Sequence, residues 1–248
     1  MEIPLSAPYG RPVLAAAVLV ALLAWETAQP YFPLFGRTRE RARHGVLNLA
    51  LGALNAAVVA LVFAGLWLAV TQWAAVHRFG LLNLLASDLA PWMRAALAVL
   101  LLDAWTYGWH WLNHRVPFFW RFHRWHHADR AMDVTTASRF HTGEIVLSSI
   151  LRVPVLLLIG CGIGELALYE LMLFAVVQFH HANLALPERL DRVLRLVIVT
   201  PALHKVHHSI VRAESDSNYS SLFSWWDRVF RTLRLVRDPR RIVFGVEE

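Results

Sequence analysis

The sequence predicts an all-α integral membrane protein: a helical bundle of about four to five membrane helices, some re-entrant, beneath a cytoplasmic cap rich in histidine. Three observations predict it. The run 46–70 is 25 residues long and carries no charge. At about 1.5 Å per residue it crosses a hydrocarbon core of about 30 Å with some tilt. Apolar residues make up 57% of the chain and charged residues 17%, against about 45–50% and about 25% in soluble domains. Finally, eleven of the thirteen histidines fall between His110 and His208, and one membrane orientation brings them all to the same side.

The elements follow in order. The apolar run 12–28 has no basic cluster before it and no clear small-residue cleavage site after it, so it reads as a membrane helix rather than a signal peptide. The run 46–70 is the second helix. A third covers 95–112 and contains Asp103, Tyr107 and His110. The apolar region 145–182 is too long for one crossing and suits two, with a turn at Gly160, Gly162 and Gly164. Arg152 and Pro154 weaken its first arm, which is expected to be bent or interfacial. Residues 187–203 alternate apolar positions with Glu188, Arg189, Asp191, Arg192 and Arg195. That pattern suits either a helix lying on the membrane surface or an amphipathic helix packed on the cap.

Charge sets the topology. Arg37, Arg39, Arg41 and Arg43 follow the first helix, whereas only Arg78 stands between the second helix and Pro91. The positive-inside rule puts the arginine-rich loop in the cytoplasm. The third helix then returns His110 and His114 to the cytoplasmic edge. Arg115, Arg121, Arg124, Arg130 and Arg139 lie there too, and the 145–182 hairpin brings His180 and His181 back to it. The net charge of +6 fits loops beside anionic lipid and, with no nucleic-acid motif, excludes a nucleic-acid partner. The single cysteine, Cys161, excludes an intrachain disulfide framework and a thiolate zinc motif.

The histidines carry the chemistry. His110 and His114 are four apart on one helix, so their rings share a face at about 6 Å. His123, His126 and His127 repeat that facing in F-H-R-W-H-H, and His204, His207 and His208 repeat it again in L-H-K-V-H-H. One transition metal takes four to six ligands, so eight or more imidazoles suit two ions. Imidazole accepts iron, zinc, copper and nickel, so ligand type alone leaves the metal open. A nitrogen-rich shell with open positions suits oxygen activation by a pair of irons. His141, His180 and His181 are further candidates; adjacent His180 and His181 point about 100° apart on a helix, so one faces the metal and the other supports it. His44 and His77 read as ordinary hydrogen-bonded histidines.

Asp103, Tyr107, His110 and His114 form one helical stripe. A carboxylate inside a membrane helix is costly. Asp103 either supports the site or makes a polar contact between helices. Asp216 to Ser220 (D-S-N-Y-S) supplies hydrogen bonds to imidazoles or forms a simple turn. Trp225, Trp226, Asp227 and Phe230 read as packing of the tail.

These residues resemble the sterol desaturase and fatty acid hydroxylase superfamily. The order H-x-x-x-H, H-x-x-H-H, H-x-x-H-H is joined by Asp103 and Tyr107 before His110, R-F-H-T-G-E (139–144), H-H-A-N (180–183), T-P-x-L-H-x-V-H-H (200–208), Asn218–Tyr219 and W-D-R-x-F (226–230). The likeness covers about 95–235, which it marks as the catalytic domain between N-terminal membrane helices (1–94) and a tail (236–248). It implies a membrane di-iron oxygenase that hydroxylates a lipid with dioxygen as co-substrate. The implied ligands are His110, His114, His123, His126, His127, His181, His204, His207 and His208. His141, His180, Asp103, Tyr107, Asn183, Asn218 and Asp216 are left as ligands or supporting groups. Zinc is expected to substitute for the two irons in a purified sample. With no H-P-G-G haem segment in the sequence, a separate electron donor is expected: a reductase, ferredoxin or cytochrome. In a bacterium the chain would lie in the inner membrane. Two departures stand in the tail: Ser220 and Arg231 occupy positions where glycine is common.

Rival readings remain at this stage. A desaturase would use the same cage. A metal transporter would place its ligands near the bilayer midplane, whereas these gather at one edge. A structural membrane protein with incidental histidines would bind no metal.

Overall fold

A computed structural model describes residues 10–247. Their regular structure is helical, with isolated bridges only between Ile198 and Phe223 and between Ser209 and Phe244. In chain order the helices are α1 (Gly10–Ala28), α2 (Thr38–Val58), α3 (Ala64–Val76), α4 (Leu81–Leu85), α5 (Pro91–Arg115), α6 (Pro117–His127), α7 (Thr142–Ile159), α8 (Ile163–His181), α9 (Glu188–Leu194), α10 (Pro201–His207), α11 (Arg212–Ser215) and α12 (Trp225–Val229). A π-helical turn, Val59–Phe63, joins α2 to α3.

Three stretches are long and apolar enough to cross a membrane: Thr38–Leu85, Thr142–Ile159 and Ile163–His181. No more than 28% of any of their apolar windows is buried, so these helices need lipid rather than protein as their solvent. The apolar part of α1, Val13–Ala28, is shorter. Helix α5 is long but carries Arg94, Asp103, His110, His114 and Arg115. The sequence reading of about four to five membrane helices had included both.

The chain divides into two compact units. The central unit comprises Ala50–Trp125 and Phe140–Glu170. Its turns are fixed by close backbone approach. Gly80 (φ 96°) and Gly160 (φ 70°) both adopt left-handed conformations, and a Cβ on Gly80 would lie 2.4 Å from the Leu157 carbonyl. Only glycine fits there. Gly160 ends α7, as the glycine-punctuated hairpin predicts, and α8 begins three residues later. Arg94 fastens this end by donating to the carbonyls of Leu82 (2.7 Å) and Gly160 (2.8 Å) and pairing with Glu165 (3.0 Å). Arg152, inside α7, pairs with Glu170 and lies over the Trp67 ring. That contact satisfies a charge the bilayer would otherwise penalise.

The terminal unit comprises the chain up to Leu49, His126–Arg139, and the chain from Leu171 onward. One small core joins Leu22, Val134, Ala182 and Leu184. A second joins Met132, Val206, Ile242 and Phe244. The expected helix over 187–203 is interrupted: α9 stops at Leu194 and α10 starts at Pro201. Between them the backbone pairs with 222–224 instead, Val199 N–H donating to the Leu222 carbonyl and Ser224 N–H to the Val197 carbonyl (both 3.1 Å). Inter-segment pairing has overridden the helical pattern there.

Candidate metal centre

Each histidine cluster sits where its helix ends. α5 closes with His110 and His114, α6 with His123, His126 and His127, α8 with His180 and His181, and α10 with His204 and His207, with His208 as its C-cap. A cation, such as a bound metal ion, is favoured at helix C-termini, where the carbonyl dipoles point.

In the terminal unit, His126, His181, His204 and His208 converge. All four are buried and their ligand nitrogens lie within 4.8 Å of one another. The contacts run Nε2 to Nε2: His126–His181 at 3.1 Å, His181–His204 at 3.1 Å and His204–His208 at 3.2 Å. The protons are committed elsewhere. His181 Nδ1 donates to the Val177 carbonyl (2.7 Å) and His126 Nδ1 to the Arg139 carbonyl (3.3 Å). A carbonyl only accepts, so each of those Nδ1 atoms carries the hydrogen and each Nε2 is a bare lone pair. Two lone pairs facing each other at 3.1 Å repel unless a cation lies between them. Two imidazoles on one ion, at metal–nitrogen distances of about 2.0–2.1 Å, stand about 3.0–3.4 Å apart. This donor set therefore fits a transition metal. Burial, reinforced by the neighbouring rings of His180, His181, His208 and His207, holds the His204 imidazole well below its ordinary value and keeps it neutral.

The same unit holds two further candidates. His127 and His207 face one another with ring centroids 4.6 Å apart. His207 Nδ1 donates to the Ser217 carbonyl (2.7 Å), which again puts the ring hydrogen on Nδ1. His180 stacks on His204 at 3.8 Å and stands outside the converging four.

In the central unit, His110, His114 and His123 are buried with ligand nitrogens within 4.8 Å of one another. Their ring centroids are 5.0–5.3 Å apart. Here the orienting group is charged: Glu144 accepts from His123 Nδ1 (2.9 Å) and from Asn113 Nδ2 (3.3 Å). His141 does not join them. It is the N-cap of α7, its Nδ1 accepting the Gly143 N–H (2.9 Å).

The remaining candidates make the following contacts. Asp103 is fully buried, and the Tyr169 hydroxyl of α8 lies 3.4 Å from it and 2.6 Å from Thr106 Oγ1. This is the polar contact between helices that the sequence left as one of two readings. Tyr107 is buried on the same helix. Asn183 bonds backbone rather than imidazole, pairing with both the N–H and the carbonyl of Phe32 at 2.9 Å. Asn218, at φ 52°, donates to the carbonyls of Leu203 (3.0 Å) and Arg234 (2.9 Å), and so pins α10 to the tail. Asp216 takes an ion pair from Arg212 (2.9 Å). Asp227 is buried and gathers the N–H groups of Tyr219 and Ser220; Trp225 stacks on Phe223 with ring centroids 4.5 Å apart while one part of it, like Phe230, stays exposed.

Other functional residues went unnoticed. Glu144 was legible as a carboxylate in an apolar stretch. Ser217 acts through its backbone and gave no signal. His44, expected to be an ordinary hydrogen-bonded histidine, bonds Asp129 at 2.9 Å and ties down the loop after His127. Burial alone would raise the Asp129 carboxyl, but the His44 hydrogen bond and charge hold it below its ordinary value.

The fatty acid hydroxylase profile matches residues 95–232. Among curated proteins, the chain is 28% identical over 171 residues to a human alkylglycerol monooxygenase, covering 68% of this chain and 36% of that protein. It is 26% identical over 153 residues to an ornithine lipid hydroxylase of Rhizobium tropici, covering 62% and 45%. It is 23% identical over 153 residues to a rat cholesterol 25-hydroxylase, covering 61% and 50%. The chain thus matches between about a third and a half of the length of these relatives. No solved structure matches.

Proposed function

This chain belongs to the fatty acid hydroxylase family, and from that premise we propose that it is a membrane di-iron oxygenase hydroxylating a C–H bond of a lipid. The observation that carries the reading is the convergence of Nε2 atoms from His126, His181, His204 and His208, with the His126 and His181 protons committed to backbone carbonyls on Nδ1. One ion belongs to those four. His110, His114 and His123 would hold the other; His127 and His207, which face one another, are further candidate ligands. His180 supports through its stack on His204.

Bound iron would supply the oxygen-activating chemistry that an unactivated C–H bond requires. The residues of this chain do the rest. Val177, Arg139 and Ser217 fix imidazole tautomers through their carbonyls, and the Glu144 carboxylate fixes that of His123. Burial excludes water from the ring cluster. One oxygen atom of O2 ends in the lipid and the other leaves as water. Two electrons and two protons are therefore needed; a separate reductase, ferredoxin or cytochrome is the source of the electrons, and the protons come from water. The lipid is a fatty acyl, sterol or related chain, in line with relatives named for alkylglycerol, ornithine lipid and cholesterol. Those names favour hydroxylation over desaturation. The arginine-rich loops favour the cytoplasmic side for the metal site.

The test compares lipid extracts from a host with and without this chain, grown under 18O2. A chain-dependent lipid carrying one labelled oxygen is the expected result. Loss of two hydrogens without label would make the enzyme a desaturase. An unchanged lipid profile in a host that loads the chain with iron would overturn the reading.

A further inference from the structure

Two short helices of the terminal unit are inside out. In α9, Asp191 is buried and pairs with Arg195 (3.1 Å), while Leu190 and Val193 are exposed, followed by exposed Leu196 and Val197. In α12, Asp227 is buried while Trp225, Val229 and Phe230 are exposed. A helix packed on a cap in water does the reverse, and large exposed apolar patches mark an interaction surface.

The two helices form one platform. Trp225 Nε1 donates to the Leu196 carbonyl (2.8 Å), and Ser224 Oγ and Arg228 both donate to the Arg195 carbonyl (2.7 Å each). Arg189, Arg192 and Arg231 are exposed on the same segments. The platform is also tethered close to a bilayer. Residues 182–187 alone separate it from the end of membrane-crossing α8, a reach of at most about 20 Å.

We propose that α9 and α12 together lie in the membrane interface, their apolar residues immersed among the acyl chains and their arginines at anionic lipid headgroups. Apolar residues outnumber the charges, and a bilayer is already within reach; both favour lipid over an acidic soluble partner. Short amphipathic helices rich in arginine with Trp, Phe and Leu bind interfaces in this way. Such a platform anchors α10 and its ligand histidines to the lipid surface from which substrate arrives. The inference rests on the chain being a membrane protein.

Full-length protein, with Cys161→Ala to remove the native thiol, is spin-labelled through Val193→Cys or Val229→Cys and placed in nanodiscs containing phosphatidylglycerol. A label in the span, through Leu61→Cys, serves as reference. Dissolved oxygen should collide with the two platform labels several-fold more than a water-soluble nickel chelate does, as at the reference. Changing Arg189 and Arg192 to Gln should shift the platform labels toward the chelate. Lipid contact at the reference with water contact at both platform labels would overturn the platform and leave the membrane reading standing. Water contact at all three would overturn both.

Discussion

The four imidazoles of the terminal unit and the three of the central unit arise from the same helical spacing, but different groups orient them. In the quartet, His126 and His181 give their Nδ1 protons to backbone carbonyls. In the triad, His123 gives its proton to the Glu144 carboxylate. A carbonyl sets a tautomer and a direction. A carboxylate also raises the basicity of the ring it holds. One ion would therefore sit among rings of which two are oriented by backbone carbonyls. The other would have a tuned ligand.

Mutations can break this comparison, and the largest effect belongs to the quartet itself. His204→Ala removes the ring that contacts both His181 and His208. Iron per chain should halve. Labelled lipid should fall by more than the about 10–100-fold that loss of a supporting partner costs. Elemental analysis and lipid mass spectrometry on one preparation check both. Glu144→Gln is next. It preserves shape and an acceptor while removing charge, so affinity at the triad should drop by about 10–100-fold with the quartet unaffected. Titration of metal-stripped protein should then resolve one weakened class of site. Equal weakening at both would erase the distinction.

Glu26→Ala sharpens the comparison from the scaffold side. Glu26 accepts the N–H groups of Val134 (3.0 Å) and Asn183 (2.8 Å) and pairs with Arg41 (2.9 Å). Stranding those buried donors should cost about 3 kcal/mol, read as a lower thermal midpoint in detergent. The quartet beside Asn183 should lose iron before the triad does. The smallest effect is expected from Arg231→Gly. Arg231 sits at φ 60°, where a non-glycine residue costs about 1 kcal/mol. The substitution should raise the midpoint slightly and leave metal content unchanged.

That arginine shows what the sequence could and could not reveal. The departure from glycine at 231 was visible as an anomaly, and the backbone explains it. The histidine clusters on α5, α6 and α10 were legible because i, i+3 and i+4 spacing is a local property. So was the α7–α8 hairpin, because glycines punctuate it. Residues 187–203 misled because their backbone pairs with 222–224, a partner no local period announces. Trp225 and Phe230 read as tail packing because aromatic side chains usually pack; that each also leaves an exposed face shows only in their accessibility. Ser217 was invisible because its carbonyl, not its side chain, orients His207.

The central claim is that these rings hold two irons, and metal stoichiometry of the chain purified without oxygen tests it most directly. Two irons per chain are predicted, falling to one in His204→Ala. A folded, membrane-embedded protein that takes up no transition metal, even when iron is offered in excess, would contradict it.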